Sequence, residues 1–316
     1  MSTVSPIKLQ PSFKDYLWGG TKLKTMYGKQ SDFDIVAESW ELSAHKDGQS
    51  TVVGGEFDGL CLVDYLDRVG KDVLGTRAAR FDYFPLLIKF IDAKGDLSVQ
   101  VHPDDDYALK NEGEYGKTEM WYILDHDEGA CLYYGFAKDI TKQEYEEAIR
   151  NNTLTDILNR VPVHKGDVFF IPAGTVHAIG AGIVICEIQQ NSNTTYRVYD
   201  YNRRDKNGNT RPLHVEKALE VSSLSQSPAL SPIDNDEDTL LAQCDYFTVR
   251  RLRVNGSLTQ HSNLETFRSF IVTEGSGSLN INGEALPFTK GDSLFLPAQN
   301  AAYTIEGTCE VILSHI

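Results

Sequence analysis

Gly166-Asp167-Val168-Phe169-Phe170-Ile171-Pro172-Ala173-Gly174-Thr175-Val176-His177 is the stretch that decides the fold. Gly166-Asp167 turns the chain, Val168 to Ile171 is a short apolar strand, and Pro172-Ala173-Gly174 turns it again before His177. The pattern returns 125 residues later as Gly291-Asp292-Ser293-Leu294-Phe295-Leu296-Pro297-Ala298. Upstream, Tyr122-Ile123-Leu124 matches Phe270-Ile271-Val272 at an offset of 148. The difference, 23 residues, is about the length of a helical stretch near 139–161, which opens on the capping box Thr141-Lys142-Gln143-Glu144. The reading is a duplicated β unit whose first copy carries a helical insertion. In the second copy His177 aligns with Ala302 and Glu119 with Phe267.

The remaining text is also strand-rich. β-prone runs recur at 86–90, 120–124, 168–171 and 183–188, most of them separated by Gly, Asp or Pro turns. This spacing predicts a mainly β chain, an antiparallel sandwich or jelly roll rather than a doubly wound sheet. No glycine-rich phosphate loop is present. Helical periodicity covers 60–73, with Leu62, Leu66 and Val69 on one side, and a short helix is expected from Thr153. Residues 222–238 turn Ser-, Pro- and acid-rich, which predicts an exposed connector, and Asn282-Gly283 predicts a hairpin turn. The expected organisation is a metal-binding β domain over 1–222, a linker over 223–238, and a C-terminal β domain without ligands over 239–316.

Composition narrows the function. The chain has 316 residues, and a net charge of −15 argues against nucleic acid as a partner. No run of 18 apolar residues predicts a membrane span, and Met1-Ser2-Thr3-Val4-Ser5-Pro6 lacks a signal-peptide pattern. Five scattered cysteines with no Cys-x-x-Cys argue against a disulfide framework and a thiolate metal site, so a reducing cytoplasm is expected.

Two more segments converge with His177 on one chemistry. In Leu97-Ser98-Val99-Gln100-Val101-His102-Pro103, Gln100 and His102 are two apart. A strand therefore puts them on one face and Val99 and Val101 on the other. Gly116-Lys117-Thr118-Glu119-Met120-Trp121-Tyr122 adds a carboxylate. Gln100, His102, Glu119 and His177 make a mixed N/O set, which suits a catalytic zinc better than a closed structural one. Any one of these residues alone reads more simply as a satisfied polar group in a strand. Asp104-Asp105-Asp106 reads as a helix cap rather than metal ligands, His126 as a solvated turn residue, and Trp18 and Trp40 as core or pocket wall.

The motifs together resemble one family. They are Trp18-Gly19-Gly20, Glu38-Ser39-Trp40-Glu41-Leu42-Ser43, and the segments 97–104, 116–122, 172–177 and 189–197. In this order they are similar to type I mannose-6-phosphate isomerase in its short bacterial form, over roughly residues 10–220. The resemblance implies a cupin fold (a double-stranded β-helix), with a degenerate second cupin-like unit at the C-terminus. It implies zinc as cofactor, held by Gln100, His102, Glu119 and His177. It implies interconversion of mannose 6-phosphate and fructose 6-phosphate through a cis-enediol.

Arg197 falls on the family's catalytic arginine, Lys117 on the lysine before the metal glutamate, Lys89 on a strand lysine, and Glu187 on a pocket glutamate. Glu187 is then the candidate base, with Lys117 as an alternative proton carrier. Lys89, Ser98, Lys117 and Arg197 are candidate contacts for the sugar phosphate. Three other readings share the cupin features: a sugar-phosphate binding module without turnover, a cupin glucose-6-phosphate isomerase, and a metal-dependent dioxygenase. Lys117 could instead be a surface lysine, and Glu187 could simply ion-pair with Arg197.

Overall fold

In the computed structural model, residues 4–204, 208–228, 230, 233–234 and 236–316 are described. The chain is mainly β, as expected. Its packing forms two compact units, neither of them continuous in sequence. The first joins 1–15 and 21–90 to 232–316, and the second comprises 16–20 and 91–231. Packing therefore does not follow the 1–222 and 239–316 segments. The physical reason is β-pairing at the chain's beginning: Ile7–Gln10 inserts between Ser293–Leu296 and Thr51–Val53 as an antiparallel strand.

The first unit is an antiparallel sheet. Its strands run in the order Asp238–Gln243, Thr248–His261, Ala302–His315, Arg268–Ile281, Ser293–Leu296, Ile7–Gln10 and Thr51–Val53. One face closes over Leu252, Phe270, Val272, Leu294, Val311 and Leu313, all buried. The predicted hairpin is present. Asn282 and Gly283 both have positive φ, 52° and 83°, and Ile281 pairs with Glu284. The expected helix at 60–73 runs only over Leu62–Val69. Gly70, at φ 94°, breaks it, and a 3-10 turn Lys71–Leu74 follows.

The second unit pairs Leu158–Pro162, Cys131–Phe136, His177–Ala178, Val99–Val101 and Tyr196–Tyr199 in one sheet. A second set of strands orders Val168–Ile171, Glu119–His126 and Ile183–Gln190. Tyr134 links the two sets: its hydroxyl donates to the Phe170 carbonyl at 2.7 Å, and its ring meets Phe169 edge-on. The outer face of the first sheet is apolar. Val99, Val101, Phe136 and Val198 pack there against Tyr145 and Ala148 of the helix Lys142–Arg150 and Ala218 of Val215–Val221. Each valine or phenylalanine so buried contributes about 1.5–3 kcal/mol by leaving water. The Thr141–Glu144 capping box is formed as expected, and Thr153 precedes a 3-10 turn over Leu154–Asp156. Residues 223–227 are exposed or half-buried, yet they are tethered. Ser223 N–H donates to the Gly174 carbonyl and Ser227 N–H to the Phe136 carbonyl.

The duplicated stretch folds the same way twice. His164 N–H donates to the Asp167 carboxylate and Thr289 N–H to that of Asp292, both at 2.7 Å. Gly166 and Gly291 have φ of 94° and 92°. The ladders refine the alignment by one residue. Ile171 lies opposite Glu119, whereas its counterpart Leu296 lies opposite Arg268, so the second copy has Arg268 and not Phe267 at the Glu119 position. Two apolar triplets superpose in either register by residue class alone. Only backbone pairing separates them.

The two glycines differ in one respect. A Cβ on Gly166 would meet nothing within 4 Å, whereas one on Gly291 would lie 2.1 Å from the Tyr27 carbonyl oxygen. Gly166→Ala is expected to cost about 1–2 kcal/mol through its positive φ alone. Gly291→Ala should cost clearly more, read by urea denaturation. Equal losses would contradict the close approach at Gly291.

Candidate metal centre

Strand alternation places the first two polar groups. Val99 and Val101 are fully buried in the apolar face, so Gln100 points to the opposite side. His177 lies directly across the ladder from Gln100, with Gln100 Nε2 3.4 Å from His177 Nε2. Half a turn of that amide would bring Oε1 to the same point. Glu119 enters at the start of the strand Glu119–His126 and is fully buried. Its Oε1 lies 3.3 Å from His177 Nε2 and its Oε2 3.7 Å from His102 Nε2. One ligand atom each from His102, Glu119 and His177 lie within 4.8 Å of one another.

Both imidazoles are oriented by backbone carbonyls. His102 Nδ1 lies 2.9 Å from the Thr194 carbonyl and His177 Nδ1 2.8 Å from that of Thr175. A carbonyl can only accept, so each ring carries its proton on Nδ1 and turns the Nε2 lone pair inward. Burial, with Lys117 nearby, lowers the His177 pKa to about 4, which keeps this ring neutral at pH 7.

Lys117 Nζ is 2.6 Å from Glu119 Oε2, 3.1 Å from His102 Nε2 and 3.7 Å from Glu187 Oε1. Lys117 is thus buried rather than a surface lysine. Two carboxylates against one ammonium leave the cluster net negative, which a divalent cation would reverse. Neutral imidazole nitrogens and carboxylate or amide oxygens suit zinc and its first-row neighbours, and no thiolate is involved. The donor set therefore fits a divalent metal.

Glu187 lies across the ladder from Trp121, whose Nε1–H donates to Glu187 Oε2 at 2.9 Å. Arg197 lies across from Gln100 on the other side, and its Nε donates to Ser98 Oγ at 3.2 Å. Burial, with Arg211 and Arg203 nearby, lowers the Arg197 pKa. The second unit thus brings Gln100, His102, Lys117, Glu119, His177 and Glu187 together, with Ser98 and Arg197 beside them. Lys89 belongs to the first unit. Its ammonium is 3.7 Å from Glu38 Oε2 and 5.0 Å from the Trp40 ring centroid. Trp18 and Trp40 are both buried. Asp104 is a helix cap, accepting the Tyr107 N–H at 2.9 Å.

Several contributors are not legible in the sequence. Trp121 holds Glu187 and meets the His177 ring edge-on at 5.3 Å. Thr194 and Thr175 act through carbonyls, which any residue type carries. Gln190 accepts the Thr118 N–H at 2.9 Å through its side chain and donates to Asp105 at 2.8 Å, fastening the turn before Glu119. The Gln189-Gln190 pair stood within a quoted motif, but nothing in its spacing signalled that duty.

The His177 shift has a definite sign. Between pH 6.5 and about 4 the unfolded chain binds more protons at this group than the folded chain. Stability of the chelated protein should therefore fall by up to about 3 kcal/mol from this group as pH drops through that window. His177→Gln should show a shallower loss in urea denaturation at pH 7 and pH 5. Parallel pH slopes in the two proteins would contradict the neutral, buried imidazole.

Two family models match parts of the chain. The phosphomannose isomerase type I catalytic domain matches residues 7–134, and the mannose-6-phosphate isomerase cupin domain matches 236–316. The mannose-6-phosphate isomerase ManA of Bacillus subtilis is 40% identical over 99% of this chain and 100% of its own. The mannose-6-phosphate isomerase of Streptococcus mutans is 38% identical over 98% of each. The crystal structure of the mannose 6-phosphate isomerase from Bacillus subtilis superposes with a TM-score of 0.91 at 39% identity, covering 99% of this chain and 100% of that one.

Proposed function

The chain belongs to the type I mannose-6-phosphate isomerases, and from that premise we propose that it interconverts mannose 6-phosphate and fructose 6-phosphate through a cis-enediol, with zinc as cofactor. The observation that carries the reading is the buried cluster of His102, Glu119 and His177 with Lys117 and Glu187 within 4 Å of it or of each other. A binding module needs no buried carboxylate beside a buried ammonium. An aldose–ketose isomerase needs both, because a carbon-bound proton must move while an oxyanion is held.

Gln100, His102, Glu119 and His177 are the residues that would hold the metal. When bound, it would act as a Lewis acid on the substrate's carbonyl or hydroxyl oxygens. Glu187 takes the proton from C2 as the aldehyde oxygen gains one, giving the cis-enediol. It then returns a proton to C1 as the C2 hydroxyl loses its own, giving the ketose. Trp121 Nε1–H fixes Oε2 of Glu187, which aims its other oxygen toward Lys117. Lys117 and Arg197 supply positive charge to the developing oxyanion, and Lys117 can carry the oxygen-bound proton. Ser98 and Arg197 lie beside the cluster as contacts for the sugar phosphate. A reducing cytoplasm suits a sequence whose five cysteines are widely scattered with no Cys-x-x-Cys. No helix of the described residues is long and apolar enough to cross a membrane.

Two measurements test the reading. The metal-loaded protein should turn over mannose 6-phosphate with a kcat/KM well above that for glucose 6-phosphate. The reverse order would make it a glucose-6-phosphate isomerase instead. Glu187→Gln should keep its metal content while kcat falls about 10²–10⁴-fold. Near-normal kcat in that variant would take the base role from Glu187.

A further inference from the structure

The segment from Arg197 to His214 leaves and rejoins the sheet at one place. The Arg197 carbonyl accepts the His214 N–H at 2.8 Å, and His214 Nδ1 accepts the Arg197 N–H at 3.2 Å. In a chain of net charge −15, this stretch concentrates Arg197, Arg203, Arg204, Lys206 and Arg211 against only Asp200 and Asp205. Such a local reversal of sign suits an anion.

One carboxylate organises the arginines. Asp200 is only 6% exposed. It accepts Arg211 Nε at 2.8 Å and Nη2 at 2.6 Å, a bidentate pair. It also accepts Arg203 Nε at 3.1 Å, and Arg203 Nη2 as well. Arg203 Nη1 goes to the Asp96 carbonyl, so Arg203 ties the loop to the body of the unit. These bonds span Tyr201 and Asn202, two successive non-glycine residues at φ 53°, and the Arg203 guanidinium lies over the Tyr201 ring at 5.4 Å. Strained backbone of this kind persists only where its surroundings over-determine it.

The clamp leaves donors to spare. Arg197 uses Nε on Ser98 and Nη1 on the Pro212 carbonyl, and Arg211 uses Nε and Nη2 on Asp200. Among the described residues, Nη2 of Arg197 and Nη1 of Arg211 have no protein acceptor. Burial, then Arg211 and Arg203, push the Arg197 pKa down, and Asp200 opposes them. Without Asp200 they would spread apart.

We propose that Asp200 is a positioning residue: by pinning Arg203 and Arg211 beside Arg197 it builds the anion-recognising end of the substrate site, which takes the phosphate of the sugar phosphate. This rests on the isomerase reading above. Asp200 touches no substrate and acts through the two arginines. A phosphate dianion is the group that rewards two guanidiniums held in fixed relation, whereas sugar hydroxyls do not need them.

Asp200→Asn keeps the shape and removes the charge. The expected result is a KM for mannose 6-phosphate raised about tenfold with kcat within about twofold. Inhibition by inorganic phosphate should weaken by a similar factor. Arg211→Gln changes a side chain that is 39% exposed and should show the same split, so it serves if Asp200→Asn fails to fold. Unchanged KM and unchanged phosphate inhibition overturn the clamp while the isomerase reading stands. A fall in kcat with KM unchanged also overturns it. Calorimetric titration of the wild-type protein with mannose 6-phosphate separates the two claims. Binding without turnover would sink the isomerase reading, yet weakened binding in the variants would still support the clamp.

Discussion

Everything at the site depends on the two-residue alternation of a strand with one apolar face. Val99 and Val101 are driven into the cluster formed with Phe136, Val176 and Val198. That burial fixes which way Gln100 points, and Gln100 in turn registers against His177 on one side and Arg197 on the other. A slip of one residue would bury the amide and expose two valines. The hydrophobic effect therefore sets the register, and the register assembles the polar cluster. Hydrogen bonds refine what packing has placed: the Thr194 and Thr175 carbonyls choose the tautomer of each imidazole.

Electrostatics then sets the character of the cluster. Glu119 and His177 are fully buried, with a single ammonium between two carboxylates. In so dry a place each charge is felt strongly by its neighbours, and water cannot relax around them. Trp121 supplies a neutral donor to Glu187, which orients that carboxylate without neutralising it. The second copy of the β unit repeats the Gly-Asp turn but has Arg268 at the Glu119 position and Ala302 at the His177 position, so its sheet survives without the chemistry.

Much of this was legible in the sequence because it is local. Spacing of two along a strand gave the Gln100–His102 face, and the Gly-Asp turn with its echo gave the repeat. The Asn282-Gly283 hairpin and the Thr141–Glu144 cap each follow from residues that determine their own backbone. What stayed hidden is tertiary. The pairing of Ile7–Gln10 with Ser293–Leu296 joins residues nearly a whole chain apart, so the packing units could not follow sequence order. Placement of Lys89 with Glu38 and Trp40 likewise joins residues about fifty apart, on the strands Leu86–Ala93 and Glu38–His45. Asp200 reads as one more loop acid until Arg203 and Arg211 are seen to converge on it. Apolar residue class carries no information on which backbone groups pair, so only the ladder puts Arg268 rather than Phe267 at the Glu119 position.

The central claim is that a metal held by Gln100, His102, Glu119 and His177 serves an isomerase. It is tested most directly by following fructose 6-phosphate formation from mannose 6-phosphate by the purified protein, first as prepared, then after chelation, then with zinc restored. The account predicts activity that chelation abolishes and zinc returns. Full turnover by the thoroughly chelated protein would contradict the role given to those four residues, and no turnover in any state would contradict the isomerase itself.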